Sequence, residues 1–150
     1  MNFSERLESS PVILTEGAVV TRLNYEFHLS TPDSAAFVHL FDRTGRAALD
    51  AISRSYMQIA ADHDLPMLVS TPTWRAHPEG LARQGFTATN DLARVNHEAV
   101  SLLHDMRRDM GLEETVYISG AVGPQFDGYD SKGRLMRQRQ RLTTMPRRRY

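Results

Sequence analysis

Three short apolar runs, each ending in small or polar residues, set the rhythm of this chain. Val12, Ile13 and Leu14 lie between Pro11 and Gly17; Met67, Leu68 and Val69 lie between Pro66 and Trp74; Val116, Tyr117 and Ile118 open a segment that reaches Tyr129. Continuous rather than alternating hydrophobicity marks a strand covered on both faces. Residues 11–20 are predicted as the first strand and its exit. Between the runs the apolar spacing becomes helical. Leu49, Ile52, Tyr56 and Ile59 recur at helical intervals after Thr44 and Gly45, with Arg46, Asp50, Arg54 and Gln58 on other faces, which predicts an amphipathic helix. His77, Pro78, Glu79 and Gly80 start a short helix with Pro at an early position, and Gly85 ends it. Asn90 is the predicted N-cap of a second long helix. Its apolar face is Leu92, Val95, Ala99, Leu102, Leu103, Met106 and Met110, and Gly111 stops it. Residues 21–44 are mixed, with a turn or helix start at Thr31, Pro32 and Asp33 and a short stripe of Phe37, Leu40 and Phe41. Strand, helix, strand, helix, strand predicts an α/β fold of parallel βαβαβ units, with a site at the strand C-termini.

Composition narrows the setting. A chain of 150 residues suffices for one domain with a core of its own. It has no apolar run long enough to span a bilayer and no signal-peptide pattern at its start. The absence of cysteine excludes a disulfide framework and a thiolate metal site, and makes a reducing cytoplasm the expected location. Net charge is zero, yet eight of the 18 basic residues and none of the 18 acidic ones lie between Lys132 and Tyr150. Residues 132–150 are therefore set apart as a basic tail, disordered or irregular.

Four features carry candidate chemistry. Glu16 and Gly17 fall where the first strand ends: either a carboxylate at the mouth of the sheet with room for a ligand beside it, or a solvated strand-terminal turn. Ser70, Thr71 and Thr73 place hydroxyls ahead of Trp74, which is either an aromatic pocket wall or a core residue after a Thr-rich strand. Gly123 and Pro124, followed by Asp127, Gly128 and Tyr129, form a tight loop, functional or simply a turn. His28, His39, His63, His77, His97 and His104 show no ligand spacing, so no metal is expected on them.

Taken together, these segments resemble the homocysteine S-methyltransferase family. Leu14 to Leu23 looks like a variant of the family's D-G-G/A-M-G-T-E-L opening. Ser70 to Leu81 is similar to its T-T-N-T-(F/Y)-x-A-x-x-x-G-L pattern, and Gly120 to Tyr129 to its G-S-(V/I)-G-P strand end and G-(D)-x-Y loop. The resemblance covers roughly residues 10–131. It implies a (β/α)8 TIM barrel in which zinc activates the thiol of homocysteine for attack on a methyl donor. By the same resemblance, Glu16 faces the amino acid's ammonium with Gly17 beside it in the substrate site, Thr71 and Thr73 line that pocket, Trp74 is its aromatic, and Gly123 frames the mouth.

Two departures shape the expectation. Glu stands at position 16 where the family usually has Asp, which lengthens the reach. The family's zinc-binding cysteines belong to the later half of the barrel, and such a barrel takes about 250 residues. Residues 1–131 are accordingly expected to be the first three units of an incomplete barrel, inactive alone and binding no zinc. A hypothesis for the basic tail is a single-nucleotide frameshift near Arg139; sequencing beyond codon 150 tests it, and noncoding sequence there sinks it. The expected partners are a homocysteine-like thiol and a methyl donor, with self-association through open sheet edges; neither a membrane nor nucleic acid is expected. The alternative is a small α/β binding protein whose arm, Arg134 to Arg149, contacts nucleic acid or acidic partners. Steeply salt-dependent nucleic-acid affinity is the mark of that second reading.

Overall fold

A computed structural model describes residues 2–124. The Asp127–Tyr129 loop and the Arg-rich segment lie outside the described residues. The order is α1 (Phe3–Ser9), β1 (Leu14–Thr15), α2 (Val19–Tyr25), two 3-10 turns (Pro32–Ser34 and Ala36–Leu40), α3 (Arg43–His63), β2 (Met67–Ser70), α4 (Pro78–Arg83), α5 (Asp91–Asp109) and β3 (Val116–Ser119). The three strands form one parallel sheet in the order β1-β2-β3. This is the βαβαβ rhythm predicted from the apolar runs.

The register aligns Leu14, Met67 and Val116 on one rung and Thr15, Leu68 and Tyr117 on the next. Successive side chains alternate between faces, so Met67, Val69 and Val116 share a face. All three are buried against α3 and α5, in a core with Phe37, Leu49, Ile52, Met57, Val95, Leu103 and Met106. The other face is partly open and carries Thr15, Leu68, Ser70, Tyr117 and Ser119. Helix α1 lies against its lower end, where the rings of Phe3 and Tyr117 are 5.3 Å apart.

Several local expectations are corrected. The first strand is only two residues long. Ala18 then takes a left-handed conformation (φ 55°) and the chain enters α2, despite the low helix propensity of Val19, Val20 and Thr21. Burial of Leu23 and packing of Val19 and Val20 against the core outweigh that propensity. In α3, Gly45 lies inside the first turn rather than before it, because Asp42 is the N-cap and accepts from the Gly45 N–H at 2.6 Å. A Cβ at Gly45 would fall 2.5 Å from both Asp42 and His39, so the close cap needs glycine. Ile59 is exposed, and Met57 and Ala60 fill the core in its place. In α5, Leu92 is exposed and Asn90 occupies the cap position without a side-chain bond. Asp91 binds the Ala88 N–H instead, at 2.9 Å. Gly111 (φ 67°) does end this helix.

Candidate functional site at the strand ends

The end of β1 is held by one side chain. Along β2, the amides of Met67 and Thr71 donate to Thr115 and Ser119 on the β3 side, so the amide of Ser70 points towards β1. Since β1 stops at Thr15, no ladder carbonyl meets it. Glu16 supplies the acceptor, its Oε1 lying 2.7 Å from the Ser70 nitrogen. Its other oxygen, Oε2, is buried and has no hydrogen-bond partner among the described residues. The carboxylate borders a cavity of about 10 Å³ lined by Val19, Leu49, Ser53, Val69 and Leu102 among others. That is close to the least space a single water needs. A carboxyl oxygen buried without a partner in such surroundings is costly, so this is the point at the strand ends that most needs a donor.

Gly17 beside it faces open space: a Cβ there would meet nothing within 4 Å. Its carbonyl is nonetheless fixed, because the Tyr56 hydroxyl on α3 donates to it at 2.6 Å. The Arg22 guanidinium lies over the Tyr56 ring, 5.2 Å from its centre. The loop that carries Glu16 is thus anchored to α3.

The exits of β2 and β3 are closed differently. Thr71 and Thr73 are both buried. The Ala121 N–H donates to Thr71 Oγ1 (3.0 Å), the two threonine oxygens are 2.7 Å apart, and the Thr73 hydroxyl donates to the Ala121 carbonyl (2.8 Å). Once Thr73 gives its proton to Ala121, the bond between the threonines uses the proton of Thr71. Both hydroxyl protons therefore stay inside this ring. Gly123 extends the contact: a Cβ there would fall 2.0 Å from the Trp74 carbonyl oxygen and 3.0 Å from its indole. Only glycine permits that approach. Trp74 itself is 46% exposed, so it borders the mouth rather than the core.

On the open face, the hydroxyls of Ser70 and Ser119 meet across the last rung at 3.2 Å. Nothing in the apolar pattern marks Ser119, which reads simply as the end of a strand; the signal lay in the register, which pairs it with Ser70.

A family model described as Homocysteine S-methyltransferase matches residues 13–144. The chain belongs to the homocysteine S-methyltransferase family. No individual curated protein and no solved structure matched it. The matched span runs past residue 131 into the segment set apart by its charge.

Family membership brings a zinc-dependent methyltransferase chemistry into view, and the residues present can be tested against it. The chain has no cysteine, and among the described residues no three His, Cys, Asp or Glu side chains come together as a metal site. His39 is enclosed between the Ser30 carbonyl (3.0 Å) and Asp42 (3.3 Å). His77 serves as the N-cap of α4, accepting from the Gly80 N–H. These residues do not fit the family's zinc. Two carboxyls are held below the usual range. Asp42 is lowered mainly by the Gly45 N–H and further by His39. Asp91 is lowered mainly by the Arg94 guanidinium, 2.7 Å away, and further by the Ala88 N–H. Both sit at helix N-termini, Asp42 on α3 and Asp91 on α5. Among the described residues no helix is long and apolar enough to cross a membrane.

Proposed function

We propose that β1, β2 and β3 are the first three strands of a (β/α)8 methyltransferase barrel and that their C-terminal ends hold the amino-acid end of a homocysteine-like thiol. The observation that carries this reading is the Glu16 carboxylate, with one oxygen on Ser70 and the other buried without a donor among the described residues. An ammonium group supplies such a donor and a compensating charge. It enters beside Gly17, where the space is open. Trp74 walls the aliphatic part of the ligand, while Thr71, Thr73 and Gly123 hold the mouth in shape rather than donate to the ligand.

The family's chemistry is methyl transfer to a thiol, which requires a thiolate at neutral pH. This cysteine-free chain binds the thiol substrate and does not turn it over alone. A free-thiol substrate also favours a reducing compartment such as the cytoplasm. The sheet edges at β1 and β3 invite pairing, so a second copy of the chain is the expected cover in solution. The test is an assay of methyl transfer to homocysteine with the purified chain alone, run beside homocysteine binding by calorimetry. Binding without turnover is the expected result. Turnover without an added subunit overturns the inactivity, and failure to bind overturns the site.

A further inference from the structure

We propose that Tyr56 is a positioning residue for Glu16: its hydroxyl holds the Gly17–Ala18 peptide in a strained turn, and that turn aims the Glu16 carboxylate at the Ser70 amide. This role rests on the reading of Glu16 as the seat of a ligand's ammonium, and it names what keeps that carboxylate in place. Ala18 has φ 55° and ψ 24°. A Cβ disfavours this left-handed region, which glycine enters freely. Strain of this kind persists only where the surroundings over-determine the backbone.

Here they do so from both sides. The Gly17 carbonyl and the Ala18 nitrogen share one rigid peptide plane. Tyr56, on α3, donates to that carbonyl at 2.6 Å and so fixes the plane on the N-terminal side of Ala18. On the other side, the Ala18 carbonyl accepts the first bond of α2, from the Arg22 N–H at 2.8 Å. Arg22 then ties the two helices together. Its guanidinium lies over the Tyr56 ring, 5.2 Å from the centre, and donates to Ser55 Oγ at 2.8 Å. Between the fixed plane and Glu16 stands only Gly17, where a Cβ would meet nothing within 4 Å. With no side chain to restrain it there, the peptide plane sets the direction in which Glu16 leaves β1. Its Oε1 lies 2.7 Å from the Ser70 nitrogen, and a rotated plane carries the carboxylate off that amide.

The experiment compares Tyr56→Phe, and the same change combined with Ala18→Gly, with the wild-type full chain in two readouts. One is hydrogen exchange at the Ser70 amide without ligand; the other is calorimetric titration with L-homocysteine. Tyr56→Phe keeps the ring under Arg22 and removes only the hydroxyl. It should speed Ser70 exchange and weaken homocysteine binding, each by roughly three- to tenfold, the range of one neutral hydrogen bond. Adding Ala18→Gly removes the penalty of the left-handed turn and keeps an acceptable helix N-cap. The double variant should therefore recover most of both losses. Wild-type behaviour in Tyr56→Phe overturns the proposal. So does a double variant no better than Tyr56→Phe, since a hydroxyl that merely supports the fold is not replaced by relaxing Ala18. If the wild type binds no homocysteine, the reading of the site falls, while exchange at Ser70 still decides the role of Tyr56.

Discussion

The two sides of the strand-end face are built on opposite terms. At β2 and β3, Thr71, Thr73 and Ala121 close a ring in which both hydroxyl protons are used, and Gly123 seats its loop on the Trp74 carbonyl. At β1, one carboxylate oxygen is bonded and the other is left buried with no donor among the described residues. Satisfied polar groups make a scaffold, whereas an unsatisfied one makes a demand on a ligand. The resemblance assigns Glu16, Gly17, Thr71, Thr73, Trp74 and Gly123 to one pocket. Their geometry divides them into one residue with an unmet acceptor and several that hold its surroundings.

The comparison breaks most readily at the ring. Thr71→Val leaves the Ala121 N–H without its acceptor at a buried position. It should cost about 1–3 kcal/mol, read as a lowered urea midpoint at constant slope. Thr73→Val should cost a similar amount, and the double variant less than the sum, because both changes break the same ring. Additive losses would show that the hydroxyls act separately. Gly123→Ala should cost somewhat less, about 1–2 kcal/mol, since the loop can lift away without unfolding the sheet. Trp74, the chain's one tryptophan, reports that lift directly. Its emission should shift to the red, and an unchanged spectrum would mean the loop does not rest on it.

The smallest effect concerns the helix ends, which the comparison leaves aside. The Asp42 and Asp91 carboxyls have lowered folded values, so their stabilisation is complete above the ordinary carboxylate pKa of about 3.9. It fades as the pH falls through those folded values. Asp91→Asn should therefore flatten the acid limb of a melting-temperature profile slightly and leave homocysteine binding at pH 7 unchanged. A steeper acid limb would contradict the assigned direction.

The strands and the two long helices were legible because their apolar residues keep the right period over many positions. Met67 to Val69 and the Val95, Ala99, Leu102, Leu103 and Met106 stripe fall where that period puts them. Helix α2 was hidden by its β-branched start and by the left-handed turn at Ala18, which no spacing announces. Helix α1 buries no residue completely, so it carries no stripe to read. The site followed the same division. Motif likeness located the strand ends, yet it could not tell that the threonine hydroxyls face each other and Ala121. Nor could it show that the longer Glu16 side chain, in place of the family's usual Asp, turns to the Ser70 amide. Those facts depend on register between segments 48 to 54 residues apart.

Glu16→Gln tests the central claim most directly. The substituted amide retains an oxygen to accept from Ser70, removes the charge and puts an NH2 group where the unmet oxygen stood, so stability should change by no more than about 1–2 kcal/mol. Calorimetric titration with L-homocysteine at neutral pH should then show binding by the wild-type chain and a loss of roughly tenfold or more in the variant. Equal affinity in the two proteins would mean that the unmet oxygen of Glu16 is not where the ligand's ammonium sits, and the account of this site would fall with it.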